Sequence, residues 1–424
     1  MIALSRILLA CTLLGAAPAA AELRGHGGPV RALAVAPDGR QAMSGSFDQS
    51  SILWDLAQGA ALEVLRFHDG AVNAALALPD GRFVTGGEDG RLAVWRGRAR
   101  EPERVIAAHD GPIVHLAFAE GRIASASWDG TARLTRLDGG EGPVLKGHQG
   151  NVNAVAFKPD GRVVTAGYDL TLRIWNPDGS PGAVITLPSP LNAVVAAPDG
   201  ELAAAGADGK VRILSADGAL RAEVENGRTP VIALALSPDG SRIAAASVGG
   251  SVAMIERASG KVLFTLVGPG LPVWSLAFKP DGSELLTGGT DRLVRRWDMR
   301  TGEHIGPVVP TRTGDLLAGF SGDRGAEVFR ACAACHTLTP DDGNRAGPTL
   351  HGVFGRRIAT APGYNFSEAL RGMDIVWDAR TIAELFEVGP ARYTPGTKMP
   401  EQTINDPADR EALVRFLERA TRPR

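Results

Sequence analysis

The first three-quarters of the chain alternates apolar and polar residues over short runs. "VRALAVAPDG", "QAMSGSFDQ", "SSILWDL" and "ALEVLRFH" each read as a strand bounded by turn residues. The same set returns along the chain. Pro-Asp-Gly recurs at Pro37, Pro79, Pro159, Pro198, Pro238 and Pro280, and Ala119 opens the equivalent "AEG". A turn aspartate recurs at Asp48, Asp89, Asp129, Asp169, Asp208 and Asp291, with Gly249 in its place once. The period is 39 to 42 residues. Four short strands in a unit of this length predict propeller blades rather than helical repeats, and seven units predict seven blades.

After "PTRTGDLLAG" the period becomes helical. "SGDRGAEVFRACAACH", "SEALRGM", "DARTIAELFEV" and "DPADREALVRFLERAT" have helix spacing with Asp or Ser near their starts. No strand pattern is left there. The sequence therefore predicts a multidomain chain, an all-β seven-bladed propeller followed by an all-α domain. The expected division is a leader over residues 1–21, the propeller over 22–310, a linker over 311–320 and the helical domain over 321–424.

Composition narrows the functional classes. The 424 residues are 44% hydrophobic and 22% charged, with net charge −2. That balance excludes the basic footprint of a nucleic-acid binder and the low hydrophobicity of a disordered chain. The leader has Arg6, the short apolar run "ILLACTLLGAA" and the small-residue stretch "APAAAEL", which predict export to the periplasm with cleavage after Ala21. A retained membrane anchor and a lipid-bearing Cys11 are the other readings. Otherwise a membrane enters only through a partner complex. Cleavage leaves Cys332 and Cys335 as the only cysteines, so no disulfide framework is available.

Those two cysteines fall in "CAACH", which has four readings. A redox dithiol of the thioredoxin kind needs a βαβ context, and none is present. A structural zinc site needs further Cys or His, and only His351 is near. A coincidental pair is the third reading. The fourth is attachment of a c-type haem, with two thiols three positions apart and an adjacent His as iron ligand. A sixth ligand would come from Met399 in the rigid "YTPGTKMP" loop, whereas Met373 beside a helix reads as packing.

Two resemblances add to this. "GH" at Gly25-His26 and Gly147-His148 and "WD" at Trp54-Asp55 and Trp297-Asp298 make the repeats resemble the WD-repeat family. The resemblance implies buried tetrads of His26, Ser44, Asp48 and Trp54; His68, Thr85, Asp89 and Trp95; and His148, Thr165, Asp169 and Trp175. The third blade has His109, Ser125 and Asp129, but Thr135 in place of Trp. These histidines read as structural. One face of the disc would carry Arg31, Phe47, Trp128, Tyr168 and Trp274, either as a partner-binding surface or as rings packed on neighbouring loops. Ring closure has two candidates, "ELRGH" at the mature N-terminus and "TGEHIGPVV" after the last "WD".

Residues 320–421 are similar to class I cytochromes c of the mitochondrial type through "CAACH", "GPTLHGVFGRR", "GYNFSEAL", "VWD", "YTPGTKM" and "LVRFLERAT". The resemblance implies one haem c joined to Cys332 and Cys335, with His336 and Met399 on the iron. Pro348 would accept from the His336 ring. Arg356 and Trp377 would lie near a haem propionate, and Thr397 in the axial loop. Gly325 and Phe416 would mark a close helix crossing. Phe366, Leu370 and Leu385 or Phe386 stand where the family has Tyr, Asn and Tyr, which removes polar groups from the pocket. The docking lysines are also missing, with Ala391 and Arg392 near the methionine loop. The expected function is an exported single-electron carrier whose propeller docks a redox protein. A peroxidase-like haem enzyme or an electron-accepting dehydrogenase subunit is the alternative.

Overall fold

The computed structural model describes residues 22–138, 140, 142–268, 270–306, 317–330, 332–334, 336–339, 347–362, 364, 366, 368–395, 397, 399 and 403–422. The leader, Cys11, Cys335 and most of the expected linker lie outside the described residues.

Seven four-stranded antiparallel sheets form the propeller. Six are continuous in sequence, over residues 30–65, 72–107, 113–146, 152–186, 191–225 and 231–267. The seventh combines residues 273–298 with the first strand, β1 (Glu22–Arg24). Small and branched side chains on the middle strands pack between adjacent sheets. Ala204 and Leu214 of the fifth blade, for example, share one core with Ala154 and Val164 of the fourth. The Pro-Asp-Gly turns join first to second strands. In the first, the Asp38 carboxylate accepts from the Arg40 amide (2.9 Å) and Gly39 takes φ +67°, the region that favours glycine.

Both closure candidates use one edge. Glu22, Leu23 and Arg24 pair with Arg295, Val294 and Leu293 of the last strand of the seventh blade, Leu293–Asp298. The rest of that edge is taken by the chain just beyond it, where Ile305 N donates to Arg296 O and Asp298 N donates to Glu303 O, both at 2.9 Å. Leu23 is fully buried. Buried Glu22 pairs with Arg295, which also meets Asp291 at 2.8 Å. Three residues thus close the ring by backbone pairing, one apolar anchor and a buried ion pair.

The tetrads form as the repeats imply. In the first blade His26 Nδ1 lies 3.0 Å from Asp48 and Nε2 lies 2.7 Å from Ser44 Oγ, which also accepts from Trp54 Nε1 at 2.7 Å. The sets around His68 and His148 repeat this geometry, and His109 keeps it without the tryptophan. Burial opposes ionisation of Asp48, but the His26 ring and hydrogen bonds from His26 and Ser50 outweigh it and hold its pKa at about 2. Every polar atom of the buried ring is satisfied, so these histidines are structural.

The helical part comprises α1 (Arg324–Phe329), α2 (Glu368–Arg371), α3 (Ala379–Val388), α4 (Pro390–Tyr393) and α5 (Pro407–Ala420). Asp323, Asp378 and Asp406 cap α1, α3 and α5. At the α1–α5 crossing, a Cβ on Gly325 would stand 2.1 Å from the Ala412 carbonyl oxygen, so only glycine fits. Phe416 fills the junction against Phe320 and Phe329.

Glu22→Ala is expected to lower the propeller's unfolding free energy by about 2 kcal/mol, because Arg295 loses one of two buried partners. Urea unfolding followed by circular dichroism measures this. A change near zero would show that the backbone pairing of β1 alone closes the ring.

Candidate functional site

The helical part lines a cavity of ≈ 580 Å³. That lies within the ~300–1,000 Å³ usual for a cofactor pocket. Cys332, His336, Pro348, Arg356, Trp377, Thr397 and Met399 all line it. The sequence thus named eight residues, and the fold brings seven of them to one space. The eighth, Cys335, lies outside the described residues.

The chain leaves α1, makes a single turn at Cys332–Ala334, and presents His336, whose amide donates to Cys332 O at 3.0 Å. His336 Nδ1 is 2.8 Å from the Pro348 carbonyl. A carbonyl only accepts, so Nδ1 carries the proton and Nε2 keeps the lone pair. Gly347 makes room for the ring, since a Cβ there would stand 2.4 Å from His336 Cε1. Arg356 ties the same loop together by donating to His351 O (3.0 Å) and Thr349 O (2.7 Å). Burial lowers its pKa below the usual arginine value. The Trp377 amide donates to Arg356 O at 3.0 Å, which joins these two lining residues.

On the methionine loop, the Met399 amide donates to Thr397 Oγ1 at 3.1 Å. Met373 and His351 do not line the cavity. Leu350, Val353, Leu385, Phe386, Leu413 and Leu417 give it apolar walls, and Phe366 and Leu370 extend them. The donor set fits a haem c. It supplies a buried thiol, an imidazole oriented through Nδ1 by Pro348 and a thioether around one apolar space. Among the described residues, no group of three His, Cys, Asp or Glu could hold a bare metal ion.

Two features escaped sequence reasoning. In α4, Tyr393 Oη donates to Glu384 Oε2 at 2.9 Å, and burial together with this bond pushes its pKa up to about 12. More consequentially, Asp48, Gln49, Val64, Arg66, Arg100 and Glu101 of the first two blades line the same cavity. That depends on how two domains pack, which no local motif records.

The expected partner face divides in two. Arg31, Phe47 and Trp274 are one cluster. Phe47 meets Trp274 edge-on, while Arg31 lies 5.4 Å from the Trp274 ring and donates to its carbonyl at 3.3 Å. Burial lowers the Arg31 pKa to about 10. Trp128 donates to Asn153 Oδ1 at 3.0 Å and remains 46% exposed, and Tyr168 is 61% exposed. Phe47 is 45% exposed, so these rings are not consumed by loop packing.

The WD domain, G-beta repeat model matches residues 19–55, 59–96, 141–176 and 260–298, and the cytochrome c model matches residues 322–421. The C-terminal part is 42% identical to a cytochrome c of Cochliobolus lunatus over 100 residues, covering 23% of this chain and 92% of the relative. It is 42% identical to a cytochrome c of Arabidopsis thaliana over 109 residues, covering 26% of this chain and 96% of the relative. This chain belongs to the cytochrome c family through its C-terminal domain. The propeller is similar in fold to the WD40 β-propeller domain of Doa1, with TM-score 0.60 and 22% identity over 66% of this chain and 95% of that one. The cytochrome c domain is thus joined to a WD-repeat propeller. The family implies a covalently bound haem c and electron transfer, and the propeller implies protein–protein interaction.

Gly347→Ala is expected to displace the His336 ring, at a cost of about 1–3 kcal/mol in stability. Thermal unfolding of the haem-loaded protein should fall, together with loss of the low-spin absorption spectrum. An unchanged spectrum would show that the ring tolerates the methyl group.

Proposed function

We propose that this chain is an exported, periplasmic electron carrier with one haem c. Cys332 and Cys335 form the thioethers, His336 and Met399 are the axial ligands, and the propeller docks a redox protein. The observation that carries this reading is the His336–Pro348 contact of 2.8 Å in the cavity that Met399 also lines. The leader composition supports export.

A haem held there supplies a one-electron couple. The chain's own residues set its surroundings. The Pro348 carbonyl orients the imidazole and raises its basicity. The thioether of Met399 favours the reduced state. Leu385, Phe386, Leu413 and Leu417 keep water from the interior. The exposed Phe47 is followed in the same turn by Asp48 and Gln49, which line the cavity. A protein bound at Phe47 would therefore lie near the haem site, whereas Trp128 and Tyr168 belong to the third and fourth blades, which do not line the cavity.

Met399→Ala is expected to open the sixth position. The reduced variant should bind carbon monoxide and its midpoint potential should drop, whereas the unaltered protein should bind carbon monoxide slowly or not at all. Rapid carbon monoxide binding and peroxide turnover by the unaltered protein would favour the haem-enzyme reading instead. Replacing Trp128 and Tyr168 by Ala should weaken capture of a redox protein from periplasmic extract by tenfold or more, with the haem spectrum unchanged. Undiminished capture would remove these rings from the docking surface.

A further inference from the structure

The haem cavity is walled by both domains. Arg66 immediately follows the outermost strand of the first blade, Ala60–Leu65, and lines the cavity. Its guanidinium lies 4.4 Å from the ring centroid of Tyr364, so the two domains meet through a cation on an aromatic face. The position is rigid. Two residues on, His68 is fixed by Thr85 (2.8 Å) and Asp89 (3.0 Å), and Phe67 packs edge-on against Trp95.

The cavity wall is cationic. Arg66, Arg100, Arg356, Arg357 and Arg371 line it, against the two carboxylates Asp48 and Glu101. Asp48 already serves His26 and Ser50. Haem brings two carboxylates of its own. In this chain Phe366 and Leu370, which also line the cavity, place apolar groups where the resemblance leads one to expect a hydroxyl and an amide.

We propose that Arg66 is a propeller-supplied part of the haem site, a stacked and partly buried cation in the cavity wall that would balance the haem's carboxylates in place of polar groups that the helical domain lacks. The inference rests on the reading that this cavity holds haem c. Arg66 acts on the couple through its charge alone. A fixed positive charge favours the form of the haem with one more electron, and partial burial limits screening by salt. The propeller then sets the redox properties of its own cytochrome domain, besides any docking role. Arginine suits the position because a planar guanidinium stacks on the Tyr364 ring, which lysine cannot do as well.

The test uses the full-length, haem-loaded protein. Midpoint potentials are measured for the unaltered chain, Arg66→Ala, Arg66→Gln and Arg66→Lys, with Arg136→Ala as control. Arg136 is an exposed propeller residue paired with Asp138, and it does not line the cavity. The expected result is a lower potential for Arg66→Ala and Arg66→Gln, a smaller drop for Arg66→Lys and none for Arg136→Ala. The pH dependence of the potential should also change in the neutral variants, because the haem carboxylates lose a cation. A purely structural contact would not move that profile. Potentials and pH profiles of the Arg66 variants that match the control would overturn the inference. Absence of a covalent c-type spectrum in the unaltered chain would overturn the haem reading itself, and the two failures are therefore distinct.

Discussion

The site depends on the space left by a missing side chain. At Gly347 any Cβ would collide with the His336 ring, and the next residue, Pro348, offers its carbonyl to Nδ1 at 2.8 Å. These two adjacent residues fix the tautomer, the rotation and the depth of one imidazole. The Arg356 guanidinium, bonded to two carbonyls of the same loop, keeps that loop in place. With the ring fixed, the thiol of Cys332 and the thioether of Met399 on the opposite stretch of chain share a space of one cofactor's size. The Gly325 crossing has the same logic at the scale of helices, where a bare backbone lets α1 and α5 approach and Phe416 fill the joint.

The propeller solves a different problem. Each blade is too small to be stable alone, so its apolar faces are buried against its neighbours, and the ring must close. Closure is shared between β1 and the chain after the last strand, with the Glu22–Arg295 pair buried at the seam. The tetrads stiffen individual blades, and stiffness is what lets a blade edge form a dependable wall. Arg66 is held two residues from such a tetrad, and through Tyr364 it couples the two domains. The same blade's turn carries Phe47 outward and Asp48 and Gln49 toward the cavity. The propeller thus presents an exposed ring and also lines the cavity.

Much of this was legible in the chain. The repeat of turn aspartates and Pro-Asp-Gly marked the blades because each needs the same turn chemistry, and the hydroxyl, Asp and Trp of the complete tetrads followed at constant spacing. "CAACH", "GPTLHG" and "PGTKM" named the residues that the fold gathers, because each motif encodes a local geometry. The closure was ambiguous in sequence for a good reason, since both segments pair with one strand edge. Helix α4 was not foreseen because Pro390–Tyr393 is a single turn started by proline. The propeller's share of the cavity wall was invisible. Arg66 and Tyr364 are nearly three hundred residues apart, and neither lies in a pattern that predicts the other.

The proposed function requires that one cavity of this chain hold a covalent, six-coordinate haem. The most direct measurement is the intact mass and absorption spectrum of the full-length protein, made in cells with a c-type haem attachment system. The expected result is one haem per chain that resists acid-acetone extraction, with low-spin spectra in both oxidation states. A chain of haem-free mass, or a bound haem that extracts freely and is high-spin, would contradict it.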